Sequence, residues 1–241
     1  MNEPKDQLIV ALDVATAAKA LELHEALRDS VTTFKIGMQL FTAAGPDLVR
    51  QIVSRGSRVF LDLKYHDIPN TVAMAAVEAT RLGVSIFNVH ASGGREMMQR
   101  AAAAVAEVTE REGLPKPIIL GVTVLTSADQ ETLQQLGVSE SPAQLVKRLA
   151  TLTKSSGLDG VVASAHELRL IRDEVRDANF VIVCPGIRSA RDATQDQRRT
   201  MSAGEAIRAG ANCLVVGRPV LNADQPVQAA LALQEEIRAA S

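Results

Sequence analysis

The chain has 241 residues, 46% of them apolar and 22% charged, and a formal charge of −2 at pH 7. That is the composition of a globular chain and excludes a disordered one. With no Lys/Arg-rich block it also argues against nucleic acid or an anionic membrane as partner, and no apolar run reaches the length of a bilayer span. There is no Trp and only one Tyr, so base recognition by aromatic stacking is poorly provided for. The N-terminus, M-N-E-P-K-D-Q, is polar and lacks the signal-peptide pattern. Cys184 and Cys213 each lie at or near an apolar run and read as buried reduced thiols, so a cytoplasmic location is expected.

Short β-rich runs alternate with helical stretches along the whole chain. The first, Leu8–Leu12, ends at Asp13, and the second, Thr33–Gly37, carries Lys35. The third, Arg58–Leu63, runs directly into Asp62, Lys64 and Asp67, and a helical stretch Thr71–Leu82 follows. Next come Ser85–His90, a helical stretch Glu96–Arg111, and Ile118–Val124, which leads into Thr126 and Ser127. After the helical stretch Ala143–Ser155 the runs are Gly160–Ala163, ending at Ser164, and Phe180–Cys184, ending at Pro185 and Gly186. A last helical stretch, Ala203–Ala209, precedes Cys213–Val216, which stops at Gly217 and Arg218. Most of the strands are continuous apolar runs, as parallel strands covered on both faces should be. Eight β/α units without a linker predict an α/β fold, a (β/α)8 barrel forming a single domain over residues 1–241. A doubly wound sheet is the alternative, but no G-x-G-x-x-G follows the first strand.

Barrel active sites sit at the C-terminal ends of the strands, where polar residues recur in this chain. The stretch F-L-D-L-K-Y-H-D-I-P-N-T, residues 60–71, carries the most information. Alternation puts Asp62 and Lys64 on one face. Charges packed so tightly after a buried run are costly unless they neutralise one another or do chemistry. A lysine held between carboxylates stays protonated and suits proton donation to carbon; the bland alternative is a solvated ion cluster at a strand end. Lys35 faces opposite to Phe34 and Ile36, so it either points inward toward Asp62 or snorkels to the rim. Asp13 is either the N-cap of the next helix or an acceptor for sugar hydroxyls. In C-L-V-V-G-R-P, Gly217, the following amides and Arg218 can surround an anion, or form a plain turn with Pro219 in the first helical turn. The arginine-bearing loop Gly186–Arg199 is long enough to be a lid over an anion, with Arg188 and Gln197 closing on it, or a surface loop. None of His24, His66, His90 and His166 has metal-ligand spacing, so each reads as structural and no metal is expected.

The run D-L-K-Y-H-D-I-P-N-T closely resembles the signature of the bacterial-type orotidine 5'-phosphate decarboxylase family. I-V-A-L-D, F-K-I-G, V-T-V-L-T-S, C-P-G-I-R and V-V-G-R-P follow in that family's order, and the resemblance covers essentially the whole chain. It implies a homodimer with shared active sites that converts orotidine 5'-monophosphate to uridine 5'-monophosphate, in de novo pyrimidine synthesis, without metal or organic cofactor. It further implies that Lys64 gives the proton to C6, and that Lys35, Asp62, Lys64 and the other subunit's Asp67 form an alternating charge network. Asp13 and Lys35 would meet the ribose, and Thr71 would reach across the interface. Thr126, or Ser127 in its place, would sit by the pyrimidine; Pro185 would belong to the substrate site. Arg188, Gln197, Gly217 and Arg218 would hold the phosphate. Two rivals remain: a sister barrel that uses Mg²⁺ to hold a sugar-phosphate enediolate, and a non-catalytic sensor of a phosphorylated ligand. Lys35 opposes the first, since it stands where an additional acidic metal ligand would be needed. The second has no use for a lysine between carboxylates.

Overall fold

In the computed structural model, residues 3–187 and 201–240 are described. Eight strands follow one another in sequence and in the same order around a closed barrel: β1 (Leu8–Ala11), β2 (Thr33–Gly37), β3 (Arg58–Tyr65), β4 (Ile86–His90), β5 (Ile118–Val122), β6 (Gly160–Val162), β7 (Val181–Pro185) and β8 (Cys213–Val216). Every pairing is parallel, and β8 closes onto β1 with Ile9 opposite Val215. The connections carry α1 (Pro4–Gln7), α2 (Ala17–Leu27), α3 (Met38–Ser54), α4 (Pro69–Arg81), α5 (Gly94–Glu112), α6 (Gln130–Gln135), α7 (Pro142–Ser155), α8 (Leu168–Val175), α9 (Ala203–Arg208), α10 (Arg218–Leu221) and α11 (Pro226–Arg238). The expected (β/α)8 barrel is the observed one.

Period-two alternation sorts each strand into two apolar layers. Leu8, Val10, Phe34, Val59, Leu61, Phe87, Ile182 and Leu214 point outward and pack with the helices in the larger core. Ile9, Phe60, Ile86, Leu120, Val183 and Cys213 point inward and fill the barrel as a second, smaller cluster. Burying each such large side chain contributes about 1.5–3 kcal/mol, which explains why the strands are apolar on both faces. Gly160 is required where β6 meets β7, because a Cβ there would stand 2.0 Å from the Val181 carbonyl oxygen. At the N-terminal ends of the strands, α1 lies against β1 and β8 and reaches Thr32, just before β2, and Arg58 at the start of β3. Thr32 donates to the Lys5 carbonyl at 3.0 Å, and Arg58 pairs with Asp6 and bonds Thr32.

Two strand ends differ from expectation by two residues; the other strand bounds agree to within one. β5 stops at Val122, and just beyond it the Thr123 amide and hydroxyl both donate to the Val162 carbonyl. β3 runs two residues further, to Tyr65, but not as a regular strand. Leu61 pairs with Phe87 and Tyr65 with Val89, so residues 62, 63 and 64 stand opposite Asn88 alone. Lys64 takes up the surplus with a left-handed φ of 52°. A non-glycine residue in that region costs on the order of 1 kcal/mol or more.

Candidate active site

The inward face of β2 and β3 changes character toward the C-terminal mouth. On β3 Phe60 stands below Asp62; on β2 Lys35 is in register with Phe60, and Gly37 with Asp62. Lys35 is only 8% exposed, so its ammonium needs partners. It finds two, donating to Asp13 at 3.0 Å and lying 3.4 Å from Asp62 Oδ2. The other oxygen of Asp62 accepts from Lys64 Nζ at 2.7 Å. Asp13, Lys35, Asp62 and Lys64 thus form one alternating chain of charges drawn from the first three βα units. Lys35 is not a snorkelling rim residue. Nor does Asp13 cap α2: Thr16 does, accepting from the Lys19 amide, which leaves the Asp13 carboxylate to Lys35. Burial alone would push the Asp62 carboxyl up. The Lys35 charge, the bond and charge of Lys64, and the Asn88 hydrogen bond outweigh it and hold the group below the ordinary carboxylate value.

Asp62 and Lys64 meet as expected, but not by simple alternation. The surplus residues of β3 and the left-handed backbone of Lys64 bring its side chain back over Asp62. Asn88, fully buried on β4, completes the arrangement, donating to Asp62 Oδ1 and accepting from the Lys64 amide, each at 2.8 Å. Sequence reasoning missed Asn88; its only signal is one amide inside the apolar run I-F-N-V-H. It also missed Gly37, where a Cβ would stand 3.1 Å from Lys35 Nζ. Beside this group the His66 and His90 rings lie 5.5 Å apart. Burial, then the nearby His66 and Lys64, lower the pKa of His90. His24 is structural, bonded through Nε2 to Ser57 and set edge-on against Phe34.

The mouth holds two adjoining cavities that share Lys35, Asp62, Pro185 and Val215. The larger, of about 600 Å³, is polar at its far side, where Asp13, Gly186, Gly217 and Arg218 converge. The smaller, of about 200 Å³, is walled by Phe60, Val122, Val124 and Val162 and has Lys64 and Thr126 at its edge. An elongated ligand with an anionic end and a flat, mostly apolar end fits such a pair, with the charge chain at their junction. Ser127 is exposed and lines neither cavity. Asp67 and Thr71 are also exposed; within the chain the Asp67 carboxylate accepts from the Ile68 amide, and its ion pair with Lys64 is not formed. Arg188 and Gln197 lie outside the described residues. A divalent cation has no place in this chain of charges, since the Lys35 ammonium already sits between the carboxylates of Asp13 and Asp62. Among the described residues no three His, Cys, Asp or Glu side chains are grouped to hold a metal.

A charged cluster above a packed floor, at the C-terminal mouth of a (β/α)8 barrel, is the kind of site that barrel enzymes acting on small molecules use. The chain belongs to the Orotidine 5'-phosphate decarboxylase / HUMPS family, whose pattern matches residues 6–233. The orotidine 5'-phosphate decarboxylase of Syntrophotalea carbinolica is 54% identical over 239 residues, covering 99% of this chain and 97% of that one. That of Moorella thermoacetica is 51% identical over 234 residues, covering 97% and 92%. The crystal structure of the Lactobacillus acidophilus orotidine 5'-phosphate decarboxylase superposes with a TM-score of 0.85 at 34% identity, covering 96% of this chain and 99% of that one.

Proposed function

We propose that this chain decarboxylates orotidine 5'-monophosphate to uridine 5'-monophosphate, with Lys64 as the proton donor. The observation that carries the proposal is the Lys64 ammonium, tied to Asp62 and facing the smaller cavity. The C6–carboxylate bond breaks, CO₂ leaves with the carboxyl carbon, and the bonding pair stays on C6. That vinylic carbanion has no adjacent electron sink. A fixed ammonium beside it stabilises the charge, and a proton moves from Nζ to C6 to complete uridine 5'-monophosphate. Preorganised charge of this kind is often the largest catalytic contribution, and neither a metal nor an organic cofactor enters the balance.

The larger cavity supplies the rest. Gly217 and Arg218, with Arg188 and Gln197, hold the phosphate, and Asp13 and Lys35 meet the ribose. Pro185 lies between the two halves, and Thr126, or Ser127, borders the pyrimidine. Phosphate and ribose contacts lie far from C6, so their binding energy goes into fixing the reacting geometry. The enzyme works as a cytoplasmic homodimer, in which Asp67 and Thr71 serve the neighbouring site. Their exposure supports this reading, as do the large apolar side chains beside them: Ile68 is 67% and Met74 51% exposed.

The test is the loss of orotidine 5'-monophosphate absorbance with purified protein in excess EDTA. Full turnover is expected. Activity that vanishes with EDTA and returns with Mg²⁺ would transfer the chain to the metal-dependent sugar-phosphate branch. Sharing of the site is tested by subunit exchange between Lys64→Ala and Asp67→Asn. One site of each mixed dimer carries both defects and the other neither, so about half the wild-type activity per mixed dimer should return, by two-fold symmetry. No recovery after proven exchange would place Asp67 in its own subunit's site.

A further inference from the structure

We propose that Asn88 is the positioning residue of the site, one side-chain amide that sets both the Asp62 carboxylate and the Lys64 backbone, and through them the ammonium. The inference deepens the proposed decarboxylation and rests on it. The break in the β3–β4 ladder supplies the reason. Three residues of β3 face one residue of β4, so main-chain pairing cannot continue across residues 62–64. A backbone N–H left unpaired beside a buried strand is costly. The Asn88 carbonyl oxygen takes the Lys64 N–H at 2.8 Å, and its NH₂ takes Asp62 Oδ1 at 2.8 Å. The reversed amide would set oxygen against carboxylate and NH₂ against N–H, so only one orientation satisfies both contacts.

The two contacts have different consequences. The one to Lys64 secures a left-handed residue whose side chain must turn back over the cavity. The one to Asp62 fixes the carboxylate plane. With Asn88 and Lys64 on Oδ1, Oδ2 is left facing Lys35. Without Asn88 the carboxylate can rotate, and both lysines lose their reference point. Asn88 itself has no such freedom, being fully buried between Ile86 and His90 on the inward face of β4. It touches neither cavity, so it acts through Asp62 and Lys64. The charged groups facing Asp62 are Lys35 from β2 and Lys64 from its own strand, with His90 nearby on β4.

The decisive variant is Asn88→Asp, nearly the same shape. It keeps an acceptor for the Lys64 N–H but sets a carboxylate against Asp62. Asn88→Ser, too short to span both groups, gives the same comparison if the first variant does not fold. Wild-type turnover of orotidine 5'-monophosphate is established first, so that failure of the decarboxylase reading is seen by itself. In the variants kcat should fall about 10²-fold, the scale of a small misplacement of catalytic groups, while KM changes little. A second readout needs no substrate: the Asp62 carboxyl, followed by ¹³C NMR in the free protein, should titrate at higher pH than in wild type. Folded variants with wild-type kcat and an unmoved Asp62 titration would overturn the proposal. So would a lower melting temperature with kcat and titration intact, because Asn88 would then be structural only.

Discussion

The two ends of the barrel are built from the same eight strands and obey opposite rules. Toward the N-terminal end the inward side chains are Ile9, Phe60, Ile86, Leu120 and Cys213, and the main polar link is Arg58 to Asp6 and Thr32, set partly in solvent. Toward the C-terminal end the inward positions of β2 to β4 carry Lys35, Asp62 and Asn88, and the β3 backbone leaves its regular path. At one end each residue serves the packing. At the other the fold sustains buried charge and a left-handed lysine, which are stable only because each group fixes its neighbour. Stability and function are thus separated along the strand axis by no more than two residues, from Phe60 to Asp62.

The division breaks most sharply at Lys64. Lys64→Ala should lower kcat by about 10³-fold or more, several kcal/mol of transition-state stabilisation, while leaving the melting temperature near wild type. A folded variant within about tenfold of wild type would remove Lys64 from the chemistry. Leu120→Ala is the converse. It should cost about 2–5 kcal/mol in denaturant unfolding and leave kcat per folded molecule unchanged; a matching loss of kcat would show that the floor tunes the site. Arg218→Ala should reduce kcat/KM for the phosphorylated substrate by about 1.5–3 kcal/mol, the range for a hydrogen bond to a charged group, and matter little for the nucleoside without phosphate. Equal losses on both would make Arg218 structural.

The smallest effect is on pH. Burial lowers the pKa of both His24 and His90 below the ordinary histidine value. In the range between the folded and unfolded values the unfolded chain binds more protons, so stability rises with pH there. Their contribution is therefore complete above about pH 6.5 and declines as pH falls through that value toward the folded ones. The melting temperature should drop on acidification over this window, and His24→Gln should flatten the slope. An unchanged slope in that variant would show that His24 takes no part.

Much of this was legible in the chain because parallel strands announce themselves as apolar runs and barrel sites lie where such runs end. All eight strands, Lys35 facing inward to Asp62, and the polar ends at Asp13, Gly217 and Arg218 could be read that way. The competing roles of Asp13 could not be separated by sequence, since a helix cap and an ion partner use the same residue in the same place. What decides between them is Thr16, three residues on, taking the cap. Asn88 was hidden for a different reason. Its importance lies in the surplus residues of the neighbouring strand, and pairing between strands is a property of register that no local pattern carries.

The short helix α1 gives the barrel a traffic rule. With α1 set against the strand starts and the interior filled by Ile9, Phe60, Ile86, Leu120 and Cys213, the barrel is, among the described residues, a well closed at its N-terminal end and open at its C-terminal mouth. In the proposed reaction the nucleotide enters by that opening, and both products leave by it. The gas forms beside Lys64, at the edge of the smaller cavity, while the phosphate end lies toward Arg218 in the larger one. Both products therefore share one side of the barrel, because the packed floor of Ile9, Phe60, Ile86, Leu120 and Cys213 closes the other.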